Sequence, residues 1–205
     1  MTLKYIMQKY IYRLFFIIIS ITISNKSKSQ CDKNSWLIGG SFHISDYKEK
    51  ANFSIWVPYT MPIKKISFDM NLGYFIKNNF LVGLRSNYGY IRGKATTPTV
   101  IKLRYYQDLH VGPFSRYYFG EGNKYNFIID GCIQYGNIKF HGLKSKQNTF
   151  SISTGPAFYI NSSFGIEFLI GYKYARRIGS DSTNGIYSNI SGITTNLNLH
   201  FYLTK

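Results

Sequence analysis

The chain has 205 residues, of which 44% are hydrophobic and 17% are charged, a composition that excludes an intrinsically disordered chain and suits one folded domain. The formal net charge is +16, but no helix-turn-helix, zinc-finger or RRM pattern accompanies it, so we expect no nucleic-acid partner. Aromatic residues are frequent, with 19 Tyr, 16 Phe and 2 Trp. This favours either a Tyr-rich soluble β-protein or aromatic girdles at a membrane interface.

The first 29 residues have the features of a secretory signal peptide. Three cations lie within the first 13 residues, and a mostly apolar stretch follows at 14–23. That stretch of about 10 residues is too short for a membrane-spanning helix. Residues 27–29, Ser-Lys-Ser, fit the small-x-small cleavage rule. We therefore predict a signal peptide at 1–29 and an exported domain at 30–205 that begins with Gln30.

Two cysteines are present. Cys31 would be the second residue of the mature chain, and Cys132 lies inside a predicted strand. An exported protein permits a disulfide, but we do not expect these two to pair, because one lies in a tail and the other within a strand. Lipidation of Cys31 is a second alternative. The preceding Lys-Ser-Gln lacks the Leu and the small residue that lipoprotein processing usually requires.

Residues 66–91 carry the clearest pattern in the chain. Apolar residues fall at every second position from Ile66, a polar Lys-Asn-Asn break follows at 77–79, and the alternation resumes at Phe80. A period of two on both sides of a short break predicts a β-hairpin. Each strand has about 11 to 12 residues, whereas soluble strands usually have about 5 to 6 and a tilted membrane strand about 9 to 11. We therefore predict that the apolar face points into lipid.

The same pattern predicts eight strands in all. In chain order they are residues 36–45, 66–76, 80–91, 99–119, 126–140, 149–160, 164–176 and 190–203. Long connections follow the odd-numbered strands, at 46–62, 92–98, 141–148 and 178–188, and short turns follow strands 2, 4 and 6. Outer-membrane barrels sort their connections in this way, with short periplasmic turns and longer external loops. A soluble sandwich has no reason to do so.

Aromatic residues cluster towards both predicted membrane interfaces, as expected for two girdles. The predicted periplasmic belt contains Tyr74, Phe75, Phe80, Tyr117, Tyr118, Phe119, Phe127, Phe158, Tyr159, Phe164, Phe201 and Tyr202. The predicted external belt contains Tyr88, Tyr90, Tyr105, Tyr172 and Tyr174.

Two prolines, Pro113 and Pro156, fall inside predicted strands and each follows a glycine. A closed barrel has no edge strand at which a missing backbone donor is harmless. We therefore expect a β-bulge at each proline.

Two segments resemble a known family. LGYFIKNNFLVGL in the first hairpin, and VGPFSRYYF before the second short turn, are similar to the outer-membrane β-barrel domain family of small porin-like proteins. The resemblance covers about residues 36–203. It implies an all-β fold, an eight-stranded antiparallel up-and-down transmembrane barrel, in the outer membrane, with no cofactor.

Charged residues of both signs lie on the polar phase of the strands. They are Asp69, Arg85, Asp108, Arg116, Asp130, Glu167 and Lys173. Arg116 and Asp130 flank the same turn at similar distances, so we expect them to face each other across a hairpin. Side chains fill an eight-stranded barrel, and charges inside it require partners. We predict a structural charge network in the lumen and no conducting pore.

Catalysis and metal binding have weak sequence support. His43 and Ser45 share the polar phase, with Glu49 or Asp69 as an acidic partner, and a His-x-Ser pair occurs in barrel hydrolases that modify lipid A. The longer motif of those enzymes is absent, so we expect no enzyme. Asp108 and His110 share a face but lack a third ligand, so we expect no metal site.

The sequence favours a monomeric outer-membrane barrel with a structural, adhesive or receptor role. Its expected partners are outer-membrane lipid and lipopolysaccharide, with an extracellular ligand bound through the loops. Cations in and beside the loops support this: Lys48, Lys50, Arg92, Lys94, Lys144, Lys146 and Arg177. The alternative class is an exported soluble β-barrel or sandwich with its apolar face inward.

Overall fold

The computed structural model describes residues 31–52, 59–96, 101–120, 124–140, 143–178 and 187–203. The predicted signal peptide and Gln30 lie outside the described residues, as do residues 53–58, 97–100, 141–142 and 179–186 of the four long connections. Among the described residues, no helix is long and apolar enough to cross a membrane.

Eight antiparallel strands form one closed barrel. They are β1 Trp36–Asn52, β2 Tyr59–Lys77, β3 Phe80–Thr96, β4 Ile101–Phe119, β5 Tyr125–Phe140, β6 Leu143–Asn161, β7 Phe164–Ile178 and β8 Tyr187–Leu203. Each strand pairs with the next, and β8 pairs with β1 in a register that runs from Trp36 opposite Leu203 to Asn52 opposite Tyr187. The predicted eight-stranded up-and-down barrel is confirmed. We call the end at which β1 begins and β8 ends the inner end, and the opposite end the outer end.

Burial alternates along every strand in the phase that the sequence predicted. In β2, Phe68 and Met70 are exposed, whereas Asp69 and Asn71 on either side of Met70 are buried. Large apolar side chains lie on the outside of each of the eight strands. They include Phe42, Ile44, Met70, Leu84, Leu109, Val111, Ile133, Phe150, Phe168, Ile170 and Ile193. A soluble sandwich with its apolar face inward is therefore excluded, because soluble monomers rarely expose apolar patches beyond a few hundred Å².

The strands are longer than predicted at the outer end. β1 continues to Asn52 and not to residue 45, β2 begins at Tyr59 and not at 66, and β6 begins at Leu143 and not at 149. Strands here have 15 to 19 residues, more than the roughly 9 to 11 needed to cross a bilayer. Backbone pairing thus continues beyond the apolar band, where no hydrophobic alternation marks it in the sequence.

The predicted sorting of connections is consequently wrong in its details. The stretch assigned to a loop at 141–148 is mostly β6, and only two residues separate β5 from β6. The stretch at 46–62 is mostly β1 and β2, which pair as far as Ala51 opposite Tyr59. The outer connections are paired extensions of the hairpins joined by shorter segments.

Neither proline creates a bulge. Val111 pairs with Tyr135 and Phe114 with Cys132 in one unbroken register, although the intervening Gly112 and Pro113 have no partners on β5. The β4–β5 ladder therefore lacks the pairs at these two residues, but neither strand contains the extra residue of a β-bulge. The glycine before each proline allows close approach of the neighbouring strand, since a Cβ at Gly112 would clash with the carbonyl oxygen of Ile133. The register shifts instead at 75–77 and 159–161, beside two of the inner turns.

Candidate functional site

The barrel lumen contains buried titratable side chains arranged in three layers. An aromatic plug lies at the inner end, a network of carboxylates and arginines fills the middle, and a small cavity lies towards the outer end.

The aromatic plug corrects the predicted inner belt. Phe75, Tyr118 and Tyr202 are buried in the lumen, and Tyr159 packs against them partly buried. The phase of each strand decides this, because an aromatic residue close to the interface faces lipid only on the outward phase. Tyr117, Phe119, Phe127, Phe158 and Phe201 are exposed on the outside, as predicted.

The N-terminal residues 31–35 close the inner end. Asn79 donates its backbone N–H to the carbonyl of Cys31 at 2.8 Å, and Asn34 donates to the carbonyl of Phe75 at 2.9 Å. Asn34 and Asn79 adopt φ of 72° and 63°, a left-handed conformation that Asn tolerates. These bonds fasten the segment over the first inner turn and place Cys31 inside the plug.

Both cysteines are free and buried, in line with the expectation that they do not pair. The Cys31 sulfur lies 3.2 Å from the Tyr159 hydroxyl, and burial raises the pKa of this thiol to about 12. A lipid attached to the sulfur would have to displace the plug, so the position disfavours the lipidation alternative.

Glu167 is the centre of the middle layer and is fully buried. Its Oε2 accepts from Nη1 of Arg116 at 2.6 Å and from Nδ2 of Asn198 at 2.8 Å. Its Oε1 accepts from the hydroxyls of Tyr118 and Tyr202 at 3.1 and 3.2 Å and lies 3.0 Å from Nδ1 of His200. Five groups on two strands, β4 and β8, thus surround one carboxylate of β7, which compensates the cost of burying its charge.

Asp130 joins two arginines. Arg85 donates to it through two nitrogens at 2.9 and 2.8 Å, a bidentate pair, and Arg116 Nε donates at 2.9 Å. Arg116 and Asp130 are directly opposite each other in the β4–β5 register. The Arg85 guanidinium also lies 4.5 Å from the centre of the Phe114 ring.

Asp69 lies closer to the outer end of the barrel than Asp130. Its Oδ2 is 2.7 Å from Nε2 of His43 and 3.9 Å from Nε of Arg85, and its Oδ1 accepts from Asn87. Nδ1 of His43 is 2.6 Å from the side-chain oxygen of Asn196. Asn196 thus occupies Nδ1 of His43, whereas Nε2 lies beside Asp69 without a hydrogen bond.

Asp108 and Lys65 form an ion pair near the outer end, and Lys65 also donates to Asn87 at 3.0 Å. His110 Nδ1 is 3.4 Å from Asp108. In the part of the chain that the structure describes, no group of three or more His, Cys, Asp or Glu side chains is placed to hold a metal. Ion pairs join five residues of the predicted network, Asp69, Arg85, Asp130, Arg116 and Glu167. Asp108 pairs instead with Lys65 and His110, and Lys173 makes none of these ion pairs.

Several members of the network were not predicted. Lys65 lies in phase with Asp69, one position before the hairpin pattern was taken to begin, so extending that pattern would have identified it. His200 and Asn198 lie in phase with Tyr202 in β8, where alternate polar residues were the available signal.

Solved structures of outer-membrane proteins are similar to this barrel. The outer membrane protein OprG from Pseudomonas aeruginosa aligns with a TM-score of 0.64 and 10% identity, over 87% of this chain and 100% of that one. The fold is that of a small outer-membrane β-barrel. The outer membrane protein AlkL, solved in DMPC lipid bilayers, aligns with a TM-score of 0.51 and 8% identity, over 89% of this chain and 96% of that one. No family model and no curated protein matches the sequence.

The apolar exterior requires lipid, and barrels of this fold reside in the outer membrane. The inner end of the barrel, with its short turns, is accordingly the periplasmic end. The predicted outer-membrane location is confirmed.

Proposed function

We propose that this protein is a non-enzymatic surface barrel whose lumen is closed and whose function resides at its outer end. The closed lumen carries the proposal: Arg116, Asp130 and Glu167 are each at most 1% exposed and bonded to one another across the barrel. An ion that crossed this layer would have to break those contacts. The contact of His43 Nδ1 with Asn196, and not with Ser45, supports the absence of hydrolase chemistry.

We assign the binding partner to anionic headgroups and surface polyanions, lipopolysaccharide among them. Lys64, Lys146 and Arg176 are exposed on the outward phase. Lys64 comes one outward-facing position beyond Ile66, and Arg176 one beyond Tyr174, at the outer limit of the apolar band. Cations at that level meet lipid phosphates, which attract basic residues near a membrane surface by roughly 1 kcal/mol each. The closed barrel presents no free strand edge to a second copy, which supports a monomer.

Conductance tests the closed lumen. In planar bilayers the barrel is expected to show no steady single-channel current, and Glu167→Ala, which opens the network, serves as the comparison. A steady current through the parent protein would refute the closed lumen.

Anionic vesicles test the binding role. Binding to vesicles that contain lipopolysaccharide should fall when Lys64, Lys146 and Arg176 are all changed to Gln, and it should weaken with rising ionic strength. Shortening the connections at 53–58 and 179–186 in separate variants measures the part played by the loops. If every variant folds and binds as the parent does, a purely structural role is the better conclusion.

A further inference from the structure

The outer part of the lumen contains a small cavity. It has room for about 20 Å³, and one water molecule needs roughly 10 to 15 Å³ of such space. The cavity therefore suits a single water and is too small for a larger ligand. Its polar lining is Lys65, Asp108, Gln147 and Lys173, and Tyr47, Ala175 and Ile190 complete it.

Two acceptor oxygens of this lining have no hydrogen-bond partner among the described residues. They are Oδ1 of Asp108 and Oε1 of Gln147, on residues that are 1% and 4% exposed. The other polar atom of each group is engaged, because Oδ2 of Asp108 pairs with Lys65 and Nε2 of Gln147 donates to Thr149 at 3.1 Å. A buried acceptor without a donor costs free energy, so a donor in the cavity would stabilise both oxygens.

Lys173 brings a hydrogen-bond donor to the same cavity. It is half-buried, and none of the ion pairs that the structure describes in the lumen includes it. An ammonium group donates hydrogen bonds and accepts none. Two acceptors and one donor thus line a space of one water, and a water molecule can donate twice while it accepts.

Ions of either sign suit this lining less well. An anion would lie against the two acceptor oxygens, which have no proton to offer it. A monovalent cation would lie beside the ammonium groups of Lys65 and Lys173, with the single carboxylate of Asp108 to offset three positive charges. A neutral molecule with two donors and an acceptor avoids both conflicts.

We propose that the outer cavity binds one water molecule as a fixed part of the barrel. The water donates one hydrogen bond to Oδ1 of Asp108 and one to Oε1 of Gln147, and it accepts one from Nζ of Lys173. It thereby joins Lys173 of β7 and Gln147 of β6 to the Lys65–Asp108 ion pair. A buried water with three partners is costly to remove. The site is independent of the binding proposed for the exterior cations.

Crystals of the mature chain in detergent, grown with rubidium bromide as the only added salt, test the site. We expect one density peak without anomalous scattering from either ion, roughly 2.7 to 3.2 Å from the two oxygens and from Nζ of Lys173. The peak should be lost in Gln147→Met, which keeps a side chain of similar length and removes an acceptor. Gln134→Met is the matched control, because Gln134 is also buried but does not line the cavity, and the peak should remain.

Three results would overturn the proposal. The first is anomalous scattering from rubidium or bromide in the cavity, which would identify an ion. The second is a direct hydrogen bond from Nζ of Lys173 to either oxygen that fills the space between them. The third is a peak that persists unchanged in Gln147→Met, which would refute the three-partner geometry. The parent crystals alone distinguish water, ion and direct contact, so the test holds even if Gln147→Met fails to fold.

Discussion

Removal of Arg116 provides the sharpest test of the lumen network. In Arg116→Ala, Asp130 keeps its bidentate partner Arg85 at 2.9 and 2.8 Å. Glu167 loses its arginine, which donates at 2.6 Å, and keeps hydroxyl, amide and imidazole contacts. The structure therefore locates the main effect at Glu167, whereas the sequence alone pointed to Asp130.

The expected loss of unfolding free energy follows from the difference between Glu167, which loses its arginine, and Asp130, which keeps one. Removing one partner of a buried ion pair costs about 3 to 5 kcal/mol of unfolding free energy, because the other charge stays buried and unpaired. Arg116→Ala should lose an amount in this range. Arg116→Met combined with Glu167→Leu should lose less than the two single changes together. The coupling energy should approach about 3 kcal/mol for Arg116 with Glu167 and stay below about 1 kcal/mol for Arg116 with Asp130, within the range seen for contacting residues.

Urea unfolding in lipid vesicles measures these free energies, with tryptophan fluorescence and heat-modifiable gel migration as two independent probes. Lys77→Ala, at an exposed position of the inner end, is the control and should change stability by less than about 0.5 kcal/mol. Additive losses for Arg116 and Glu167, or a larger coupling with Asp130 than with Glu167, would refute the reasoning.

Three further predictions concern the exterior, the backbone and the plug. Leu84→Arg should cost about 2 to 4 kcal/mol in the bilayer midplane, and Gln107→Arg near the outer interface about 0 to 1 kcal/mol; equal costs in vesicle unfolding would contradict the lipid-facing assignment. Gly112→Ala should destabilise the barrel by about 1 to 3 kcal/mol, because its Cβ meets a carbonyl of the neighbouring strand. Gly131→Ala should cost little, because a Cβ there has its nearest neighbour at 3.9 Å. Similar melting temperatures for the two variants would count against the close approach at Gly112. The Cys31 thiol, buried and with its pKa raised to about 12, should react with a maleimide only after unfolding, because the thiolate is the nucleophile; rapid labelling of the folded barrel would show that the plug is open.

The sequence alone determined which face of each strand meets lipid. A strand places successive side chains on opposite faces, so the alternation of Phe68 and Met70 with Asp69 and Asn71 was sufficient for the inside–outside assignment in β2. The same local rule identified the inward charges. The prediction failed for Phe75 and Tyr118, which were assigned to lipid because they are near an interface, although their strand phase points inward. It also failed in β1, where the apolar alternation ends before the strand does.

Tertiary structure decided which inward groups meet. Arg116 and Asp130 lie opposite each other on neighbouring strands, a relation that a hairpin already imposes. Arg85 and Asp130 lie on strands that are not neighbours, and so do Arg116 and Glu167, yet they contact across the lumen. Strand tilt and stagger on closure fix those distances, and no local pattern records them.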